Sequence, residues 1–473
     1  MKKLTPMKRQ KQNSYKQPNL LNDLTFKEWL KFQKSFSIKE ITDEEINSIM
    51  KEFILFFTKS QYNGAPSRIL LNRDIDNQDF KNRILEIIPE KILNDGLIKT
   101  LSEKRDGNYN YVIIYLDKID QIKYYEKLFE ELKRISKELS YITIICDEFN
   151  NEKPIIWKLA NTCRKSLLLC DEKIYVSKKR RSIIRYCLNF RKDLDNVLTE
   201  ESFEDINFKH SYIKFPSYIL PRPPPRNKKE ILHPAKFPET LIEEFIELFT
   251  KENNIVLDIM CGTGSMQVAA YNKKRNSVGI EINPEFVKIT KDRLKKINPP
   301  IKLPGFEINL FSKVVEGDAR NLTLLLSEYK NKISYCITSP PYWSMLKNPG
   351  SEKQAKRRKM KLKLTYSDLE NDLSNISNYN EFNRMLTNIY LDLPKIMKKG
   401  SKFTIIVKNV KMDGQLYTLA WDIVNKLCGG ETGINFLGYT LWLQDDINLV
   451  PFAIGHHWIS NTLHQYCLHF EID

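Results

Sequence analysis

Residues 254–264, NIVLDIMCGTG, place a short apolar run directly before a turn containing Gly262 and Gly264. A run this short, closed by glycines and followed by helical spacing from about Ser265, reads as a buried strand feeding a helix. The pattern then repeats. SVGIEI (277–282) is a second strand, and PEFVKITKDRLKKI (284–297) opens with proline at a first helical position. SYCITS (334–339) and KFTIIVKN (402–409) read as further strands. Strands alternating with helices require a mostly parallel, doubly wound sheet.

The N-terminal half is also α/β in character. It shows an opening helical region (26–58), strands at 111–117, 141–148 and 185–192, and a helix over 123–139. Between the halves lies PSYILPRPPPRNKK, a proline-rich basic stretch expected to be a stiff extended linker. The expected division is an N-terminal α/β domain (1–215), a linker (216–230) and a C-terminal domain (231–473).

Charge narrows the partner. With 75 basic against 59 acidic residues the chain carries +16, which favours a polyanion. A lysine-rich composition would raise the charge of any surface, so clustering is the better signal. Residues 353–363 hold seven Lys or Arg and no acid, and residues 1–16 hold six. Both suit phosphate contacts that position a protein on nucleic acid without reading bases. No stretch of eighteen apolar residues exists, so no membrane span is expected. The N-terminus lacks a hydrophobic signal core, and the eight cysteines include no C-x-x-C pair. A reducing, cytoplasmic setting follows.

The chemistry sits at strand ends. Asp258 ends the first strand, and the glycine turn lets a ligand approach backbone N–H groups at a helix start. About twenty residues later Glu281 ends the second strand, where it can accept hydrogen bonds from both ribose hydroxyls of a nucleoside. VVEGDARNL (314–322) puts Asp318 at the same edge, within reach of an adenine amine. Three acids at successive strand ends make a nucleoside-cofactor pocket at the carboxyl edge of the sheet.

DIMCGTGS, GIEIN, EGDAR and TSPPYW together resemble the S-adenosylmethionine-dependent DNA amino-methyltransferases, which methylate cytosine N4 or adenine N6. The resemblance spans roughly residues 231–470 and implies a Rossmann-like methyltransferase sheet with S-adenosylmethionine as cofactor. It assigns cofactor binding to Asp258, Gly262, Gly264, Glu281 and Asp318, with the adjoining Cys261, Ser265, Ile282 and Ala319. HPAKFPETLIEEFIELF (233–249) is similar to the family segment preceding the glycine-rich strand, and adds Lys236 and Phe237.

Ser339-Pro340-Pro341-Tyr342 is then the catalytic motif. The prolines fix two φ angles and remove two donors, so the segment is stiff. An exocyclic amine is a weak nucleophile because its lone pair is delocalised into the ring. The Ser339 side chain and the Pro340 carbonyl can hold both amine hydrogens, favouring a pyramidal nitrogen, and Tyr342 can stack on a base extruded from the duplex. Trp343 suits either the stacking wall or the core. Serine at the first motif position resembles the cytosine-N4 branch, so the expected function is site-specific cytosine-N4 methylation of DNA in a restriction–modification system, with a cognate endonuclease as partner. Adenine-N6 methylation, an RNA base methyltransferase and a non-catalytic nucleic-acid-binding protein are the alternatives. His456 and His457 lie between the last two strands with no suitably spaced third ligand, so no metal site is expected.

The chain stops after its last hairpin, so the basic loop 353–363, the segment 364–380 and the N-terminal half are the candidate target-reading regions. Tyr186-Cys187-Leu188-x-Phe190 echoes Tyr466-Cys467-Leu468-x-Phe470. On this basis residues 100–195 are expected to be a degenerate copy of the catalytic module.

Overall fold

A computed structural model describes residues 21–75, 80, 82–89, 95–116, 122–149, 155–178, 183–193, 206–209, 211, 214–221, 237–297, 310–343, 372–412, 414–445, 449 and 460–473. Two eight-stranded sheets organise these residues. The first contains β1 (Phe36–Lys39), β2 (Gln61–Tyr62), β3 (Ala65–Leu71), β4 (Arg83–Ile87), β5 (Tyr109–Leu116), β6 (Ser136–Phe149), β7 (Leu168–Ser177) and β8 (Ile183–Arg191). The second contains β9 (Tyr218–Ile219), β10 (Ile255–Asp258), β11 (Asn276–Glu281), β12 (Ser312–Glu316), β13 (Ile333–Thr338) and β14 (Met397–Val407). After a small ribbon, β15 (Val410–Met412) with β16 (Gln415–Tyr417), it closes with β17 (Ile434–Leu443) and β18 (His464–Ile472).

The second sheet runs β12-β11-β10-β13-β14-β18-β17-β9, parallel apart from the antiparallel β18. This is the Rossmann-like methyltransferase sheet. Tyr218 and Ile219, which sequence puts in the linker, pair with Leu441 and Trp442 as its edge strand. The expected helical region over 26–58 holds two helices, Phe26–Phe32 and Asp43–Phe57, separated by β1. Thr25 and Thr42 cap the two starts, which breaks one apolar run into separate elements. No helix among the described residues is long and apolar enough to cross a membrane.

Seven strands of the first sheet repeat seven of the second, with β2 and β12 outside the match. Its order β4-β3-β5-β6-β8-β7-β1 matches β11-β10-β13-β14-β18-β17-β9. Register shows the match to the residue. Cys146 pairs with Tyr186 as Val407 pairs with Tyr466. The register of β7 on β8 slips between Leu169 and Asp171, and that of β17 on β18 slips at the corresponding place, between Phe436 and Gly438. A buried polar relay is also duplicated. The Tyr111 hydroxyl donates to Thr143 at 2.6 Å, and the Tyr335 hydroxyl donates to Thr404 at 2.6 Å. Thr143 then meets Asn189 at 2.8 Å, and Thr404 meets His469 at 3.0 Å. Arg83 holds Thr58 just as Arg275 holds Thr250, through Nε at 2.9 Å in both copies. The repeat therefore reaches back to β1, well before the expected residue 100.

The copies meet across a pseudo-two-fold seam, as two subunits would in an isologous dimer. Trp157 stacks on Trp421 with ring centroids 5.8 Å apart, and each occupies the third position of its helix, Ile155–Arg164 or Leu419–Cys428. Tyr186 of the first copy meets the Tyr439 hydroxyl at 2.8 Å, and the equivalent Tyr466 of the second donates to Glu172 at 2.8 Å. Both tryptophans are fully buried. Trp157→Ala is expected to destabilise the protein by about 3–5 kcal/mol. Combining it with Trp421→Ala should cost less than the sum by about 0.5–3 kcal/mol, because one contact is lost twice. Urea midpoints of the four proteins measure both effects.

Candidate active site

β10 and β13 are neighbours with Leu257 opposite Cys336, so Asp258 and Thr338 end side by side. The Thr338 hydroxyl donates to Asp258 Oδ1 at 2.7 Å, and the Met260 N–H donates to the same oxygen at 3.0 Å. Asp258 is fully buried and its Oδ2 has no protein partner among the described residues. Burial pushes its pKa up to about 7 against the lowering effect of those two donors.

The glycine turn is shaped by sterics and held from three sides. Gly264 caps the Ser265–Asn272 helix at φ 79°, and a Cβ there would lie 2.4 Å from Thr290 Cγ2. Gly262 has φ 52°, and its N–H donates to Glu281 Oε2 at 2.7 Å. Thr290 donates to the Gly262 carbonyl at 3.0 Å. Arg293 donates to the Thr263 carbonyl at 2.5 Å and to Glu239 at 2.7 Å, while Ser265 donates to Glu239 at 3.1 Å. Glu281 also accepts from the Asn283 N–H at 2.8 Å. Burial raises its pKa to about 7, with Asp258 and Asp372 adding to the rise.

An open cleft lies against these strand ends. Glu281, Ile282, Asp318, Ala319, Ser339, Pro340 and Pro341 all line it. Asp318 is forked by its neighbour Arg320, through Nε at 3.0 Å to each oxygen. Burial would raise its pKa, but the Arg320 bonds and charge win and hold it below the ordinary value. Met260, Phe286, Asp372, Leu373 and Ile389 also face the cleft. They come from the glycine turn, the Pro284–Ile297 helix, the short turn at Asp372–Asn375 and the Tyr379–Leu391 helix, whose sequences carry only core-like or capping signals.

Eight expected residues lie outside that lining, among them Asp258, Gly262, Gly264 and Ser265, which form the buried turn beside it. Cys261 is buried with Val287 and Val314, beneath the turn and outside the cleft lining. Phe237 packs on the buried cluster around Ile242 and Phe245. Tyr342 is buried beside the cleft, its hydroxyl donating to Gln465 and its ring 5.1 Å from the Lys408 ammonium. Trp343 is core, packed on Tyr379 and Tyr417 and donating to the Ser377 carbonyl at 3.2 Å. Lys236, the basic run 353–363 and the histidines at 456–457 lie outside the described residues.

A family model described as DNA methylase matches residues 11–292, more than half of the chain. The chain belongs to the DNA methylase family. The match begins far upstream of residue 231 and ends before Ser339. Among curated relatives, the chain is 30% identical over 112 residues to the Type II methyltransferase M.BglI of Bacillus subtilis, covering 23% of the chain and 32% of that relative. It is 37% identical over 68 residues to M.HpaI of Haemophilus parainfluenzae, covering 14% and 22%. The aligned stretches thus span about a third or less of these relatives' length. A solved methyltransferase from Methanosarcina mazei aligns at 10% identity and TM-score 0.29, covering 48% of the chain and 96% of that structure.

The cofactor is S-adenosylmethionine, and the cleft residues fit it. The strand-end Glu281 and Asp318 line the cleft, and directly beside it lie the glycine turn and Asp258, a buried carboxylate with one oxygen that has no partner among the described residues. Ligand hydroxyl and ammonium groups need ionised acceptors, so binding is expected to weaken as pH falls through about 7, by up to about tenfold per pH unit for each proton taken up. The free protein should behave oppositely. Two raised carboxylate pKa values make the fold lose stability as pH climbs from their ordinary range to about 7. Calorimetric titration of S-adenosylmethionine at pH 6 and 8 checks the first sign, with Glu281→Gln flattening the difference. Melting curves over the same range check the second.

Proposed function

We propose that this chain is a site-specific DNA methyltransferase that transfers the methyl group of S-adenosylmethionine to the N4 amine of cytosine, within restriction–modification. One observation carries the reading: Ser339 and Pro340 line the same cleft as Glu281 and Asp318. A base amine and a nucleoside cofactor would therefore share one pocket. When bound, S-adenosylmethionine supplies a methyl carbon already activated by its sulfonium, so no acid with a tuned pKa is required of the protein.

The chain's own residues position the reactants. Glu281 and Asp318 would hold the nucleoside part, and Asp258 with the glycine turn the amino-acid part. The Ser339 hydroxyl and the Pro340 carbonyl would accept the two amine hydrogens, leaving the nitrogen lone pair free to point along the cleft. Tyr342, buried beside the cleft, would back the Ser339-Pro340-Pro341 wall against which the extruded base rests. Rate enhancement comes from orientation. The net charge of +16 supports a polyanionic substrate. Restriction–modification is supported by the names of relatives, which include Type II methyltransferases and a probable type III restriction-modification Mod subunit.

The test is incubation of the protein with methyl-labelled S-adenosylmethionine and DNA, followed by digestion to nucleosides. Label is expected on N4-methylcytosine; label on adenine would overturn the choice of base. Ser339→Ala is expected to lower methyl transfer by about 10²-fold or more, the scale of a misplaced reactant. Its affinity for S-adenosylmethionine should be unchanged.

A further inference from the structure

The degenerate first copy has lost the site that the second keeps. In register, Leu71 stands where Asp258 stands, Pro89 where Glu281 stands, and Tyr115-Leu116 where Ser339-Pro340 stand. Yet this copy places a buried carboxylate, Glu172, against the active half. Glu172 sits on β7 in the first sheet. Its Oε1 accepts from Asn409 Nδ2 at 2.8 Å and faces His464 Nε2 at 3.2 Å, and its Oε2 accepts from the Tyr466 hydroxyl at 2.8 Å. Burial alone would raise its pKa, but these partners reverse the sign and keep it below the ordinary value.

The residues that Glu172 grips alternate with the residues that grip Tyr342. Gln465, whose side chain accepts from the Tyr342 hydroxyl, lies between His464 and Tyr466 on β18. Lys408, over the Tyr342 ring, lies directly before Asn409 at the end of β14. Val407 pairs with Tyr466, so the next residues along, Lys408 and Gln465, fall opposite each other. Side chains on a strand alternate between faces. One face of this strand pair therefore meets Glu172, and the other meets Tyr342.

We propose that Glu172 is a positioning residue for the active half: by fixing Asn409, His464 and Tyr466 it sets the strand ends that aim Gln465 and Lys408 at Tyr342. This rests on the catalytic role proposed for the Ser339–Tyr342 motif. The first copy then serves as a built-in partner subunit whose carboxylate completes its neighbour's site.

The test compares Glu172→Gln and Glu172→Ala with Glu148→Gln, which alters another buried carboxylate of the same seam, one that accepts from the Tyr439 hydroxyl and not from either gripping set. Glu172→Ala is expected to lower kcat for methyl transfer to DNA about tenfold or more. Affinity for S-adenosylmethionine should stay within about twofold, and Glu172→Gln, which retains one acceptor oxygen, should lose less. Glu148→Gln should keep wild-type kcat. A second readout is independent of activity: 3-fluorotyrosine placed at position 342 should shift its fluorine resonance in the Glu172 variants and not in Glu148→Gln. Wild-type kcat with an unmoved resonance in the Glu172 variants would overturn the proposal, as would equal effects in Glu148→Gln. If the wild-type protein transfers no methyl to DNA, the catalytic reading fails, while the fluorine shift still decides whether Glu172 positions Tyr342.

Discussion

The hydrogen bond from Thr338 to Asp258, 2.7 Å long and fully buried, joins two motifs eighty residues apart into one site. It exists because β10 and β13 are adjacent at the place where strand order reverses direction, with β11 and β12 on one side and β14 and β18 on the other. Ligands of open α/β sheets bind at such switch points because neighbouring loops diverge there and leave a crevice. Here one loop carries the glycine turn and the other carries Ser339-Pro340-Pro341. Without that adjacency the same residues would be unrelated loops.

Keeping a carboxylate at this place is costly for the fold. Asp258 is completely buried with one oxygen lacking a protein partner, and Glu281 is nearly as buried. Unpaired buried polar groups destabilise unless a ligand repays them. The first copy shows what happens when that demand is lifted. Leu71 and Pro89 replace the two acids, while structural features survive intact: the slip of register beside β8, the Tyr111–Thr143 relay, and the Arg83 grip on Thr58. Divergence between the copies thus separates residues needed by the sheet from residues needed by the ligand.

Much of this was readable along the chain, and the reasons for the remainder are physical. The C-terminal strands, the glycine turn and the strand-end acids are local signals, each carried by a few consecutive residues, and all appear where periodicity puts them. The echo of Tyr-Cys-Leu-x-Phe was also visible, because β8 and β18 are fully buried and their sequences are constrained on both faces. The reach of the repeat back to β1 was not visible. Phe36 and Tyr218 occupy equivalent edge positions, but a two- to four-residue edge strand carries no periodic signal. Nor could sequence assign Arg293 to the turn or Asp372 to the cleft, since each acts through contacts with segments distant along the chain. Tyr342 was legible as part of a motif, but its burial and its bond to Gln465 depend on a strand 123 residues later.

The seam between the copies explains why a non-catalytic half would be retained. A purely apolar interface of Trp157, Trp421 and their neighbours would hold the halves together, and buried polar groups add little net stability to such a surface. Buried hydrogen bonds are directional, however, and a fully satisfied set admits few alternative alignments. Glu172 accepts from three side chains, two on β18 and one just after β14, so a slide of one sheet over the other by even one residue would break all three at once. Hydrophobic burial supplies adhesion, whereas the polar set supplies registration. Because strand side chains alternate in direction, registration at the seam becomes registration at the cleft one residue away.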